Sequence, residues 1–280
     1  MLRVNQWIKN LLVFIPVFIF PSEIDVKTLY ALFITFALFC CSASFIYIIN
    51  DWTDRKLDAQ NKFKKYRPFA NNDLFLKDGL IGFLFLFVVF IYLFSEIYKI
   101  SPEVCILIIA YLIQSLLYNF VLKNIRLIEI FIVSTGYSYR VAAGGLSIYL
   151  LPSMWILITI FLASLFIVAQ KRLADRTGVE NEVMLRSSIK AYSNKFLNLL
   201  TIISSISAII SYLLFTLSSY AQLRFQNPYL PISSIFIIYS TFRYLHISTV
   251  STKAHDPINL IISDNRLRIC IAFYFLFVIF

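Results

Sequence analysis

The chain has 280 residues, 60% hydrophobic and 14% charged, with a mean hydropathy of +0.79 and a formal net charge of +10. This is too apolar for a soluble globular domain, and the long charge-free runs lack the alternation of β-barrel strands. The remaining class is an all-α, polytopic membrane bundle.

Residues 28–50, 104–122, 141–170 and 196–223 contain no Asp, Glu, Lys or Arg. Crossing the hydrocarbon core takes roughly 20 helical residues. In chain order the pattern predicts nine segments, at residues 7–21, 27–49, 74–95, 103–122, 126–149, 153–170, 192–219, 229–245 and 267–280. Arg3 and Lys9 precede the first apolar stretch, but no small-residue cleavage pattern follows, so the segment is expected to be retained. Pro21, Pro102, Pro152 and the Asn227-Pro228 pair fall between segments, where a helix ends at little cost. Pro16 falls inside the first segment and is expected to kink it or shorten its regular part. Cys40, Cys41, Cys105 and Cys270 lie in apolar runs without metal-ligand spacing and read as buried or lipid-facing.

With the N-terminus in the cytoplasm, 21 Lys and Arg fall at the cytoplasmic side. Only Lys27, Lys99 and Arg224 fall at the opposite side, and Arg140 lies inside a segment. This asymmetry fixes the orientation by the positive-inside rule. It also assigns the basic charge to topology, and no nucleic-acid partner is expected. No polar stretch is long enough for a second core. The chain reads as one transmembrane domain over residues 1–280, with charged loops at about 50–73 and 170–191.

The first charged loop reads NDWTDRKLDAQNKFKKYRP, from Asn50 to Pro68. At about 100° per residue, Asp51, Asp54 and Asp58 share one helical face, with Asn50 on its border. Grouped carboxylates suit Mg²⁺, which binds through a few carboxylates together with substrate phosphate oxygens. Lys62, Lys64, Lys65 and Arg67 follow and suit the rest of a polyanion's charge. A generic basic loop would explain these cations but not three in-phase aspartates.

Lys171, Arg172 and Asp175 open the second charged loop, in which Arg186 and Lys190 follow and Gly178 suggests a turn. A second polyanion clamp and a positive-inside loop with surface ion pairs both fit it. Between these clusters, Lys123 and Arg126 sit at the membrane edge, as ligand groups or as interfacial anchors. Glu129, Gly136 and Arg140 fall on one stripe of the fifth segment, with Glu129 and Arg140 roughly 16 Å apart along its axis. Ionisable residues at that depth face a bundle interior or a wet cavity, and a cavity open to the cytoplasm is expected here. Gly144 and Gly145 permit close helix packing. His246 and His255 read as loop residues without zinc spacing. Asp256 and Asp264 carry only a weak signal for substrate ordering.

Asn50-Asp51-x-x-Asp54-x-x-x-Asp58 at the end of the second segment resembles the first Asp-rich motif of the UbiA superfamily of intramembrane prenyltransferases. Further motifs, in order along nearly the whole chain, are similar to the decaprenyl-phosphate phosphoribosyltransferase branch. They are Gln6-Trp7-Ile8-Lys9-Asn10-Leu11-Leu12, the Tyr118 to Lys123 stretch, Glu129, Arg140-Val141-Ala142-Ala143-Gly144, Lys171-Arg172-Leu173-Ala174-Asp175 and Arg243-Tyr244. Three positions depart from the branch: Glu129 stands for the usual Asp, Asp175 for a longer acid, and Asn124 for a His. These swaps bear on substrate geometry more than on reaction class.

The resemblance implies a UbiA-like bundle of nine helices in a bacterial inner membrane, with its active site facing the cytoplasm. It implies Mg²⁺-dependent transfer of 5-phosphoribosyl from phosphoribosyl pyrophosphate (PRPP) to a polyprenyl phosphate, supplying lipid-linked pentose for cell-wall glycans. The residues expected to serve are Asp51, Asp54 and Asp58 for metal and catalysis. Asn50, Lys65, Arg67, Tyr118, Lys123, Arg126, Glu129, Arg140, Lys171, Arg172 and Asp175 are expected to bind substrate. A homo-oligomer is compatible with the sequence. Two rival readings remain: a prenyltransferase joining a prenyl diphosphate to an aromatic acceptor, and a transporter or non-catalytic membrane protein.

Overall fold

The structure is a computed structural model that describes residues 2–20, 23–60, 65–71, 76–177, 187–250 and 256–279. Among the described residues there are helices and turns but no strand. Helix α1 (Val4–Ile19) begins as a tight 3₁₀ coil and becomes α-helical from Ile15. Pro16 stands at the start of a short α-helical part, Ile15–Ile19, where the coil changes type. Proline is tolerated there because the first turn of an α-helix leaves its N–H groups unbonded.

Helix α2 (Val26–Thr53) starts at a reciprocal cap, in which the Asp25 carboxylate accepts from the Thr28 N–H at 2.8 Å and Thr28 Oγ1 accepts from the Asp25 N–H at 2.8 Å. It is followed by α3 (Arg55–Gln60), α4 (Leu76–Ile100), α5 (Pro102–Phe120), α6 (Ile128–Ser147) and α7 (Met154–Thr177). The rest comprises α8 (Ser187–Lys190), α9 (Asn194–Leu217), α10 (Ser219–Phe225), α11 (Ser234–Val250), α12 (Pro257–Ser263) and α13 (Asn265–Ile279).

Among the described residues, α2, Gly79–Ile100 of α4, α5, α7 and α9 are long and apolar enough to cross a membrane. The other four expected segments correspond to α1, α6, α11 and α13. Of these, α11 and α13 are short, at 17 and 15 residues, and α6 carries Glu129 and Arg140. Four expected ends are corrected. Helix α2 continues past residue 49 to Thr53, α4 past 95 to Ile100, α7 past 170 to Thr177 and α11 past 245 to Val250. Lys171, Arg172 and Asp175 thus stand on a helix rather than in a loop. His246 likewise lies within α11. Lys62, Lys64, Gly178, Arg186 and His255 lie outside the described residues.

Each long helix packs on its neighbour in chain order. The series closes where α13 meets α1, with the Phe18 and Phe275 rings 4.5 Å apart. The outer faces stay apolar and exposed: Leu84, Phe85 and Val88 of α4 are 62%, 68% and 69% accessible. Water would not tolerate so continuous an apolar face, whereas lipid covers it. The protein is an integral membrane protein. Inside, α1 lies so close to α6 that a Cβ on Gly144 would strike the Val13 carbonyl group. All four cysteines are buried and unpaired, as expected.

Candidate active site

Asp51 lies in the last turn of α2, Asp54 is the residue that ends it, and Asp58 is on α3. The continuous helix expected across the motif is broken at Asp54, whose φ and ψ are −90° and 0°. The break costs little register. The Asp54 N–H donates to the Asn50 carbonyl at 2.9 Å, and the Asp58 N–H donates to the Asp54 carbonyl at 2.8 Å. The three carboxylates therefore keep one side of the chain, and all three are buried at 3%, 6% and 4% accessibility.

Buried carboxylates need compensation, and each receives a cation. Arg67 Nη1 lies 3.3 Å from Asp51 Oδ1 and 2.5 Å from Asp58 Oδ2, tying the two together. Lys123 Nζ lies 2.7 Å from Asp54 Oδ1. Arg3 donates through Nε to Asp51 Oδ2 at 3.0 Å and through Nη2 to Asp51 Oδ1. Asn50 faces the same turn, and its carbonyl also accepts from Thr53 Oγ1 at 3.0 Å.

The turn between α5 and α6 connects this cluster to a second one. Arg172 of α7 donates from Nε to both Glu129 oxygens at 2.8 and 3.0 Å, and from Nη2 to Glu129 Oε2 at 2.6 Å. It also reaches Tyr118 Oη at 3.2 Å and Asp175 Oδ2 at 3.3 Å. Glu129 is 1% accessible and stands in the first turn of α6, where the helix dipole favours an anion. Lys123 lies in the turn after α5, so α5 presents Tyr118 to one cluster and the turn presents Lys123 to the other.

The turn itself is held by Tyr192, whose hydroxyl accepts from the Leu127 N–H at 2.7 Å where Leu127 takes a left-handed φ of 67°. Burial pushes the Tyr192 phenol above its ordinary pKa, which keeps it protonated. Arg126 is exposed and donates to the Ala191 carbonyl at 2.9 Å, bracing the same junction.

Arg140 is 6% accessible, and its position differs from the expectation of an open cavity. It donates to Asn10 Oδ1 at 2.6 Å, to the Gly136 carbonyl and to Tyr111 Oη at 3.1 Å, with its guanidinium beside the Phe39, Tyr111 and Tyr137 rings. It does not pair with Glu129. Lys65 is exposed, with its ammonium over the neighbouring Tyr66 ring at 5.0 Å. Lys171 is half-buried beside Arg172. Asp256 caps α12, and Asp264 pairs with Arg243 at 2.6 Å, a bond that holds the Asp264 carboxyl below its ordinary pKa.

Three residues at the site were not among the expected binding residues, although Asn10 and Asn119 lie inside motif stretches and Arg3 among the cytoplasmic cations. Arg3 and Asn10 meet partners 48 and 130 positions away. Asn119 is 2% accessible; its Oδ1 accepts from Lys123 Nζ at 3.4 Å, and its Nδ2 is buried without a hydrogen-bond partner. An orphaned donor beside an ammonium group is suited to a phosphate oxygen.

The donor set fits Mg²⁺, which is held by one or two carboxylates, water and substrate phosphates rather than by an all-protein cage. Among the described residues no three His, Cys, Asp or Glu converge closely enough to hold a metal by themselves.

Comparison with known proteins agrees with this architecture. The model of the UbiA prenyltransferase family matches residues 11–261. The decaprenyl-phosphate phosphoribosyltransferase of Mycolicibacterium smegmatis is 32% identical over 227 residues, covering 77% of this chain and 69% of that protein. Its counterpart in Corynebacterium glutamicum is 27% identical over 279 residues, covering 96% and 81%. Among solved structures, a UbiA homolog from Archaeoglobus fulgidus bound to GPP and Mg²⁺ superposes with a TM-score of 0.71 at 17% identity, covering 100% of this chain and 98% of that one. The chain belongs to the UbiA prenyltransferase family.

Proposed function

We propose that this protein is a phosphoribosyltransferase that moves 5-phosphoribosyl from PRPP to a polyprenyl phosphate and releases pyrophosphate. The observation that carries this reading is the joining of the two clusters by one turn. Three buried carboxylates and a ring of cations lie beside the Glu129–Arg172–Tyr118 group, all at the end of the bundle where Arg3 enters. The relatives named decaprenyl-phosphate phosphoribosyltransferase, at 27–32% identity, support it.

Asp51, Asp54 and Asp58 would hold Mg²⁺, which supplies a template and Lewis acid for the departing pyrophosphate. Lys123, Asn119 and Arg67 donate to pyrophosphate oxygens. Arg172, aligned by Glu129 and Tyr118, meets the phosphoribosyl side. An oxygen of the lipid phosphate attacks the anomeric carbon, the C1–O bond breaks, and its electron pair leaves with pyrophosphate. The nucleophile is already ionised at neutral pH, so no side chain has to remove a proton. The bias of 21 cations against three supports an orientation with this end in the cytoplasm, where soluble PRPP is available; nine crossings of a bacterial inner membrane belong to the same proposal.

The purified protein is given labelled PRPP, polyprenyl phosphate and Mg²⁺. Lipid-linked phosphoribose is the expected product, and Asp54→Asn abolishes it. Product from a prenyl diphosphate and an aromatic acid, with none from any polyprenyl phosphate, would overturn the reading.

A further inference from the structure

The carboxylates proposed as the metal seat are all occupied by the protein's own cations, and one of these has a different origin from the rest. Arg67 follows the motif in the chain, and Lys123 belongs to the turn that joins the two clusters. Arg3 comes from the segment before α1 and reaches Asp51 across 48 positions. It takes both oxygens of that carboxylate. Arg3 and Arg67 together fill Asp51 Oδ1, and Arg3 takes one of the two lone pairs of Oδ2. Mg²⁺, about 2.0–2.1 Å from a carboxylate oxygen in this chemistry, therefore competes with Arg3 for Asp51.

Arg3 is also placed so that it can leave. The segment around it is anchored on α2: Trp7 Nε1 donates to Ser44 Oγ at 3.1 Å, and Ser44 Oγ donates to the Leu2 carbonyl at 3.1 Å. The side chain itself is 23% accessible, over the Tyr47 ring at 4.9 Å. Its backbone is left-handed, at φ 50° and ψ 51°, a conformation that costs a non-glycine residue energy unless a contact repays it. The Asp51 contact is the one at hand.

We infer that Arg3 is a placeholder for the metal: it neutralises Asp51 while the site is empty, gives the carboxylate up when the metal binds, and turns to the pyrophosphate. This rests on the reading of the Asp cluster as a metal seat. Removal of Arg3 therefore moves two quantities in opposite directions.

The test uses the full chain in nanodiscs, with Mn²⁺ titrated in the absence of PRPP and read by electron paramagnetic resonance. Arg3→Ala is expected to bind Mn²⁺ more tightly, by on the order of tenfold, the scale of one coupled pair. The same variant is expected to raise the KM for PRPP. Arg3→Lys keeps the charge without the fork and falls between the two; it carries the test if Arg3→Ala does not elute as a folded species. A folded variant with unchanged or weaker Mn²⁺ binding, or with an unchanged KM, overturns the inference. Asp51→Asn separates the two levels. If it leaves Mn²⁺ binding intact, the metal seat itself is wrong; if it abolishes binding while Arg3→Ala shifts nothing, only the placeholder role fails.

Discussion

At the residue scale, the Arg172–Glu129 pair shows how a charge deep in an apolar bundle is tolerated. Its members are 7% and 1% accessible, and three donor contacts join them. Such a pair is weak evidence of net stability, because desolvation offsets most of the attraction. Breaking one side is another matter: Arg172→Leu strands Glu129 and is expected to cost about 3–5 kcal/mol, lowering the melting temperature in detergent. Replacing both by Leu should restore most of that stability, while transfer to lipid stays absent in both variants. A double variant as unstable as the single one would show that the site's packing, not the stranded charge, sets the cost. This scale was only partly legible in the sequence. The spacing of Asp51, Asp54 and Asp58 foretold a shared face, because helical periodicity is a local property. Helical periodicity does not give the roles of Arg3 and Asn10, since their partners meet them only through tertiary packing; Asn119 has Lys123 four residues on, but its burial comes from packing.

At the scale of elements, the approach of α1 to α6 decides where Asn10 stands and hence how Arg140 is bonded. The Gly144 position has no room for a side chain, because the Val13 carbonyl carbon would lie 2.9 Å from a new Cβ. Gly136, on the same helix, has only ordinary contacts, with Arg140 Nη1 at 3.5 Å and Tyr111 at 3.7 Å. Gly144→Ala is therefore expected to destabilise by about 1–3 kcal/mol, the scale of overpacking. Gly136→Ala should be nearly neutral when thermal unfolding is measured side by side. Equal losses from the two would mean that helix approach is not what the glycine protects. The sequence indicated small residues near Arg140 but not which helix they admit. The end of α7 was lost for a related reason. Hydropathy closes a segment at its first charge, yet Arg172 is charged and points inward to Glu129, so the helix runs on to Thr177.

For the whole molecule, the charge asymmetry and the ion pairs describe the same two ends. Arg3, Arg67, Lys123 and Arg172 gather at one, while the other has the smaller pairs Arg224–Glu23 at 2.5 Å and Lys99–Glu96 at 2.6 Å. The two sets could not be told apart by composition alone, since both are basic with acidic partners. They differ in burial: the site's aspartates are enclosed, whereas Arg224 and Glu23 are each 40% accessible. The orientation argued from the positive-inside rule has a direct check, because all four native cysteines are buried and should leave a low background. Tyr66, at 73% accessibility, and Leu223, at 75%, lie at opposite ends. With Tyr66→Cys and Leu223→Cys made singly, a membrane-impermeant thiol reagent applied to intact cells should label only the second. Permeabilising the membrane should expose the first. Labelling of Tyr66→Cys from outside would invert the molecule and take the cluster away from the compartment that holds PRPP. The same bundle in the opposite orientation would keep every contact described above and still lose its substrate, so this measurement tests the function independently of the chemistry of the site.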